Sequence, residues 1–179
     1  MGFLVGPPFA TALQAYSNDS ARIAIQGVDY PSLTSKGEGS VFGAMLMATL
    51  ANVTATQCPD TRLVFSGYSQ GALVVRRAAS SLTATPSTLE KVSSVVLFGD
   101  PKNGTAIDGL PRDRVRSICH EGDKICQGGS LVLPQHLNYS SDVPGAAMFV
   151  LNAAGVGMAS EDAVLQGMES IPGVGDNLF

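Results

Sequence analysis

Charge is the scarcest resource in this chain: Asp, Glu, Lys and Arg make up 15% of its 179 residues, against roughly a quarter in ordinary globular proteins. A neutral, polar surface is expected. The net charge is −4, and no basic run exceeds the pair Arg76-Arg77, so there is no positive field to draw phosphates and no nucleic-acid partner is expected. Long hydrophobic runs are missing as well. The apolar stretches at 41–50 and 144–158 are short or interrupted, and no integral membrane segment of about 20 apolar residues is expected. No Lys or Arg precedes Arg22, and Pro7-Pro8 interrupts the apolar start, so the N-terminus carries no signal-peptide pattern. Histidine is limited to His120 and His136, and cysteine to three residues. There is no internal repeat, low-complexity tract or linker.

What is present points to a folded, exported protein. Apolar residues reach 45%, which excludes intrinsic disorder, and the length suits one domain over 1–160 with an irregular tail at 161–179. Asn18, Asn52, Asn103 and Asn138 each open an N-x-S/T sequon, where roughly one is expected by chance. Secretion and glycosylation are therefore expected, although the N-terminus taken alone argues for the cytosol. Cys119 and Cys126 are spaced to close a short loop of the kind secreted domains staple, leaving Cys58 over. A zinc site is not expected, because this C-x6-C spacing has no second pair and His120 lies too close in sequence to complete a tetrahedral set.

Strands and helices alternate along the chain, as in an α/β protein. Residues 9–16 read as a short helix and 22–28 as a strand of alternating polarity. Ser40 reads as the cap of an amphipathic helix over 41–53, with Phe42, Met45, Leu46, Thr49 and Leu50 on its apolar face and its methionines in the core. Residues 63–65 form an apolar strand. After Gly71 a helix places Val75, Ala78, Ala79 and Leu82 on one face and Arg76 and Arg77 on the other. Residues 92–98 and 114–118 complete four β segments, and 146–153 form the last helix. Beyond Ser160, Gly167, Pro172, Gly173 and Gly175 are expected to break any helix.

The chemistry centres on Gly67-Tyr68-Ser69-Gln70-Gly71, a G-x-S-x-G pattern of which roughly 0.2 copies are expected by chance. Its setting adds weight. The serine falls between an apolar strand and an amphipathic helix, where a tight turn thrusts the hydroxyl outward and aims the Gln70 N–H at an oxyanion. A serine needs a base, and the order serine, acid, histidine favours His136; His120 would have to use Asp100, Asp108 or Asp113. For the acid, Asp123 lies inside the Cys119 to Cys126 loop. Asp100, ending a buried strand before Pro101, is its rival, and Glu121 a weaker one.

These segments together resemble the fungal cutinase family: CPDTRLVFSGYSQG at 58–71, VVLFGDPKNG at 95–104 and CHEGDKICQGGSLVLPQHLNY at 119–139. The resemblance runs over most of residues 2–153. It implies a three-layer α/β/α hydrolase with a mainly parallel sheet, secreted, cleaving cutin and short esters. Ser69 is implied as nucleophile, Gln70 as oxyanion-hole donor, Asp123 and His136 as the remaining triad members, and Cys119 as bonded to Cys126. Neither a metal nor a cofactor is implied, and a monomer acting on a polyester or small ester is expected. Acetylxylan esterase, of the same superfamily, is the alternative substrate class, and FGDP at 98–101 resembles it too. Family members also carry a first strand, with a cysteine matching Cys58 and a Gly-Ser loop that supplies a second oxyanion donor. Here the chain starts after both. The expectation is an upstream segment before Met1 holding signal peptide, strand and loop, the alternative being a shortened, impaired product.

Overall fold

The computed structural model describes residues 2–18, 23–32, 38–169 and 171. The chain begins with helix α1 (Gly2–Tyr16) and continues through α2 (Glu38–Gln57), β1 (Leu63–Tyr68), α3 (Gln70–Leu82), α4 (Pro86–Glu90) and β2 (Val92–Phe98). There follow β3 (Val115–Ile118), α5 (Pro134–Leu137), α6 (Val143–Ala154) and α7 (Glu161–Glu169), with short 3-10 turns between them. The three strands form a parallel sheet in the order β1-β2-β3. Pairing runs from Leu63 opposite Val92 to Tyr68 opposite Phe98, and from Val95 opposite Val115 to Phe98 opposite Ile118.

Strand β2 explains the layering. All seven of its residues are buried, as a central parallel strand covered on both faces requires. Because side chains alternate along a strand, Val95 and Leu97 join Phe65, α2 and α3 in one apolar cluster, while Val96 and Phe98 join α1, α6 and Tyr139 in the other. Helices therefore cover both sides of the sheet.

Several expectations need correcting. No strand forms over 23–30: the outer edge of β1 carries no strand among the described residues, so the alternating pattern there has no ladder to join. The residue Arg22 lies outside the described residues. Helix α1 begins at Gly2 and runs through Pro7 and Pro8. An interior proline costs about 3 kcal/mol, whereas burying a Val, Leu or Phe side chain returns about 1.5–3 kcal/mol. Val5, Phe9 and Leu13, with Ala12 and Tyr16 beside them, are all buried, and their packing on α6 and α7 outweighs the break.

Helix α2 is longer than expected and faces the other way. Ser40 lies inside its first turn, buried, and accepts a hydrogen bond from Arg77 rather than capping the helix. The buried face is Gly43, Ala44, Met47, Ala48 and Ala51, while Phe42 and Met45 are 56% and 65% exposed. Both faces repeat at three and four residues, so spacing alone does not separate them. Small side chains decide it, because they let α2 lie close to α3; a Cβ on Gly43 would come within 3.1 Å of the Val74 side chain. By length and composition α2 is apolar enough to cross a membrane, and 44% of that stretch is buried inside the fold.

Past Ser160 the chain forms α7 instead of an irregular tail. Gly167 is a packing residue there: a Cβ would sit 2.7 Å from that of Ala15, so its bare backbone lets α7 close on α1. Residues 172–179 lie outside the described residues.

Candidate active site

The site grows from the C-terminal end of β1. Ser69 takes φ 55° and ψ −119°, making it the non-glycine residue with positive φ among the described residues. Such a conformation costs on the order of 1–3 kcal/mol and persists because its surroundings enforce it. The Ser69 N–H donates to the Phe98 carbonyl at 2.9 Å, tying the elbow to β2. Gly67 has no room for a side chain, since a Cβ would lie 2.6 Å from the Ala72 nitrogen. Gln70 opens α3, so its amide has no intrahelical acceptor and stands at the positive end of the helix dipole.

His136 reaches this elbow from α5. Its Nε2 lies 2.9 Å from Ser69 Oγ, and its Nδ1 lies 2.7 Å from Asp123 Oδ2. The ring is 2% exposed and fixed on several sides. Tyr68 stacks on it at 5.1 Å between centroids, and the Tyr68 hydroxyl donates to the His136 carbonyl at 2.7 Å. Beneath lies Gly99, with φ +56°, where a Cβ would meet the imidazole Cε1 at 2.7 Å.

Asp123 is fully buried in the loop closed by the Cys119–Cys126 disulfide. Its Oδ1 accepts the Ile125 N–H at 2.9 Å; its Oδ2 accepts the Tyr139 hydroxyl at 2.7 Å in addition to His136. Burial pushes the carboxyl's pKa up, but the hydrogen bonds from Tyr139, His136 and Ile125 and the charge of His136 outweigh it, so the net shift is below the ordinary 3.8. Burial, then the charge of Asp123, pushes the Tyr68 phenol the opposite way.

The rival residues are engaged elsewhere. Asp100 is fully buried and takes the Arg76 guanidinium at 2.6–3.3 Å, besides accepting the Lys102 N–H. Arg76 therefore does not share the outer face of α3 with Arg77: it is buried, and it also donates to the carbonyls of Lys102, Thr105 and Ala106. Counting a charge as solvent-facing fails when a strand end holds a buried carboxylate in need of a counter-charge. His120 pairs with Asp142, not with Asp100, Asp108 or Asp113, and Glu121 is exposed. Cys58 is free and exposed. Sequence reasoning passed over Tyr68, Gly99 and Tyr139; the one signal for Tyr68 was its place within G-x-S-x-G.

A parallel sheet covered by helices on both faces, with a serine on a strained strand-to-helix turn, defines the class as α/β hydrolase. Residues 2–154 match the family model described as Cutinase. A cutinase of Botryotinia fuckeliana is 48% identical over 159 residues, 87% of this chain and 77% of that one. Among solved structures, a Trichoderma reesei cutinase in complex with a C11Y4 phosphonate inhibitor superposes with a TM-score of 0.78 at 41% identity, covering 86% of this chain and 69% of that one. The catalytic core domain of acetyl xylan esterase from Trichoderma reesei shares the fold alone, with a TM-score of 0.66 at 20% identity, covering 82% and 90%. This chain belongs to the cutinase family, and with it to the carboxylic ester hydrolases that act through serine.

Proposed function

We propose that Ser69 is the nucleophile, His136 the general base and acid, Asp123 the orienting carboxylate and the Gln70 amide an oxyanion donor. The supporting observation is the unbroken line from Ser69 Oγ through the imidazole to Asp123 at 2.9 and 2.7 Å. His136 Nε2 takes the serine proton as Oγ attacks an ester carbonyl, and the new oxyanion faces the N-terminus of α3. Asp123 keeps the other ring nitrogen protonated and stabilises the imidazolium. That imidazolium protonates the departing alcohol, leaving an acyl-serine; water, deprotonated by the same nitrogen, then releases the acid and restores Ser69.

The substrate reading is a polyester such as cutin, along with short soluble esters. Leu131, Val132 and Leu137 support it: they lie within five residues of His136 in the sequence and are 61%, 54% and 49% exposed, apolar surface of the kind that meets a polymer. A fluorophosphonate probe tests the chemistry. It is expected to add one label to the intact protein and none to Ser69→Ala, and a folded wild type that resists the probe would falsify the reading. Release of acetyl groups from acetylated xylan, with no action on longer p-nitrophenyl esters or on cutin, would replace the substrate class while leaving the mechanism intact.

The same reading makes the protein extracellular and glycosylated. Asn103 and Asn138 are exposed, whereas Asn52 lies inside α2 with its side-chain oxygen accepting the Thr85 hydroxyl. In a secreted preparation, digestion with an N-glycosidase is expected to lower the mass, and Asn103→Gln to remove part of that change. An unmodified Asn103 in material that has passed through the secretory pathway counts against it.

A further inference from the structure

Tyr139 is used by nothing in the mechanism above, yet it is fully buried and touches the acid of the triad. Its phenol has a single proton, which goes to Asp123 Oδ2 at 2.7 Å; its oxygen accepts the His120 N–H at 3.1 Å. The ring is held on three sides. His120 stacks on it with centroids 4.2 Å apart, Phe98 meets it edge-on at 6.2 Å, and Tyr68 lies at 6.0 Å. His120 is itself fixed, with Nε2 at 2.7 Å from Asp142 Oδ2 and Nδ1 at 3.0 Å from the Gln135 carbonyl. A second histidine–aspartate pair thus stands behind the first, and Tyr139 is the link between them.

We infer that Tyr139 is a positioning residue for the esterase reaction, setting both the orientation of the Asp123 carboxylate and the share of its charge left for His136, with the His120–Asp142 pair clamping the phenol in place. The inference rests on the proposed role of Asp123. Oδ2 serves two donors at once, His136 and Tyr139, and whatever charge the phenol draws is withheld from the imidazolium. Burial first, and then the Asp123 hydrogen bond, push the Tyr139 phenol well above its ordinary range, with the charges of Asp123 and Asp142 adding to this and the His120 N–H opposing it. The phenol therefore stays a donor at every working pH. Among the described residues, the titratable groups against Tyr139 are Asp123 and His136 of the site, Tyr68 from β1 and His120 from the disulfide loop, with Asp142, from the 3-10 turn before α6, held on His120.

The test is Tyr139→Phe, which keeps the ring and removes the hydroxyl. With the phenol gone, Asp123 bears its full charge toward His136 and the imidazolium holds its proton more tightly. The acid limb of kcat/KM for p-nitrophenyl butyrate is expected to move up by about 0.5–1 pH unit, with kcat about 10-fold lower and KM within about 2-fold. The His136 ring proton, followed by NMR across the same pH range, reports this shift without any need for turnover, so an inactive protein would bear on the esterase reading and not on this one. Should Tyr139→Phe fail to fold, His120→Gln loosens the clamp and is expected to shift the NMR titration in the same direction by a smaller amount. A folded Tyr139→Phe whose titration superposes on the wild type overturns the inference, as does an unmoved titration in His120→Gln where the first variant is lost.

Discussion

Asp123→Asn is expected to lower kcat by about 10⁴-fold while the protein stays folded. The carboxylate accepts at every contact: Ile125 N–H at Oδ1, and His136 and Tyr139 at Oδ2. An asparagine fits this cage best with its oxygen toward the Ile125 amide, which can only donate, and its NH2 toward the imidazole and the Tyr139 hydroxyl, which can turn to accept. His136 Nδ1 must then accept, which puts the ring proton on Nε2, facing Ser69. A base that already carries its proton on that nitrogen cannot take another from the serine. Single-turnover and steady-state assays of the purified variant, beside a thermal melt, check both halves; a loss below about 10-fold in a folded protein would remove Asp123 from its proposed role. Stability adds an independent readout. The folded carboxyl has its pKa lowered from 3.8, so it contributes stability that is present above that value and is lost as the pH falls through the folded one. The asparagine variant is expected to lack this part of the acid sensitivity.

Arg76→Ala is expected to cost about 3–5 kcal/mol of unfolding free energy, a large share of the roughly 5–15 kcal/mol available to a domain. Removing the guanidinium strands a fully buried Asp100 and takes the donor from three loop carbonyls at once. In urea the midpoint falls with the slope unchanged. The double variant Arg76→Met, Asp100→Asn is expected to recover part of the loss, because no lone charge then remains inside. A single variant within about 1 kcal/mol of wild type would mean that water reaches Asp100 and that the pair is not a dry one.

The elbow was legible in the sequence because everything that makes it is local: a strand, two glycines, a serine and a helix follow one another in a single stretch. His136 could be reached by scarcity, there being two histidines, and Asp123 through the loop that holds it. The rest is written across the fold. Nothing beside Tyr139 announces that its hydroxyl meets a carboxylate 16 residues earlier, and nothing beside Arg76 announces Asp100. Helix α2 misled because its small residues, weak on any apolar scale, are what permits close approach to α3. The stretch read as a strand over 22–28 misled in the opposite sense, since alternating polarity describes a strand only where a neighbouring strand supplies the ladder. Gly167 was taken for a helix breaker when it is a contact.

Gly99 marks a place in this molecule where no side chain fits. Under the imidazole even one methyl group is too many, and the same residue's N–H is bonded to Ile118 across the sheet. Within five residues of His136 in the sequence, Leu131, Val132 and Leu137 stand in the open, answerable to solvent rather than to neighbours. On the proposed mechanism, substitution at these exposed positions is expected to leave the imidazole in its seat, whereas any side chain at Gly99 would push against it.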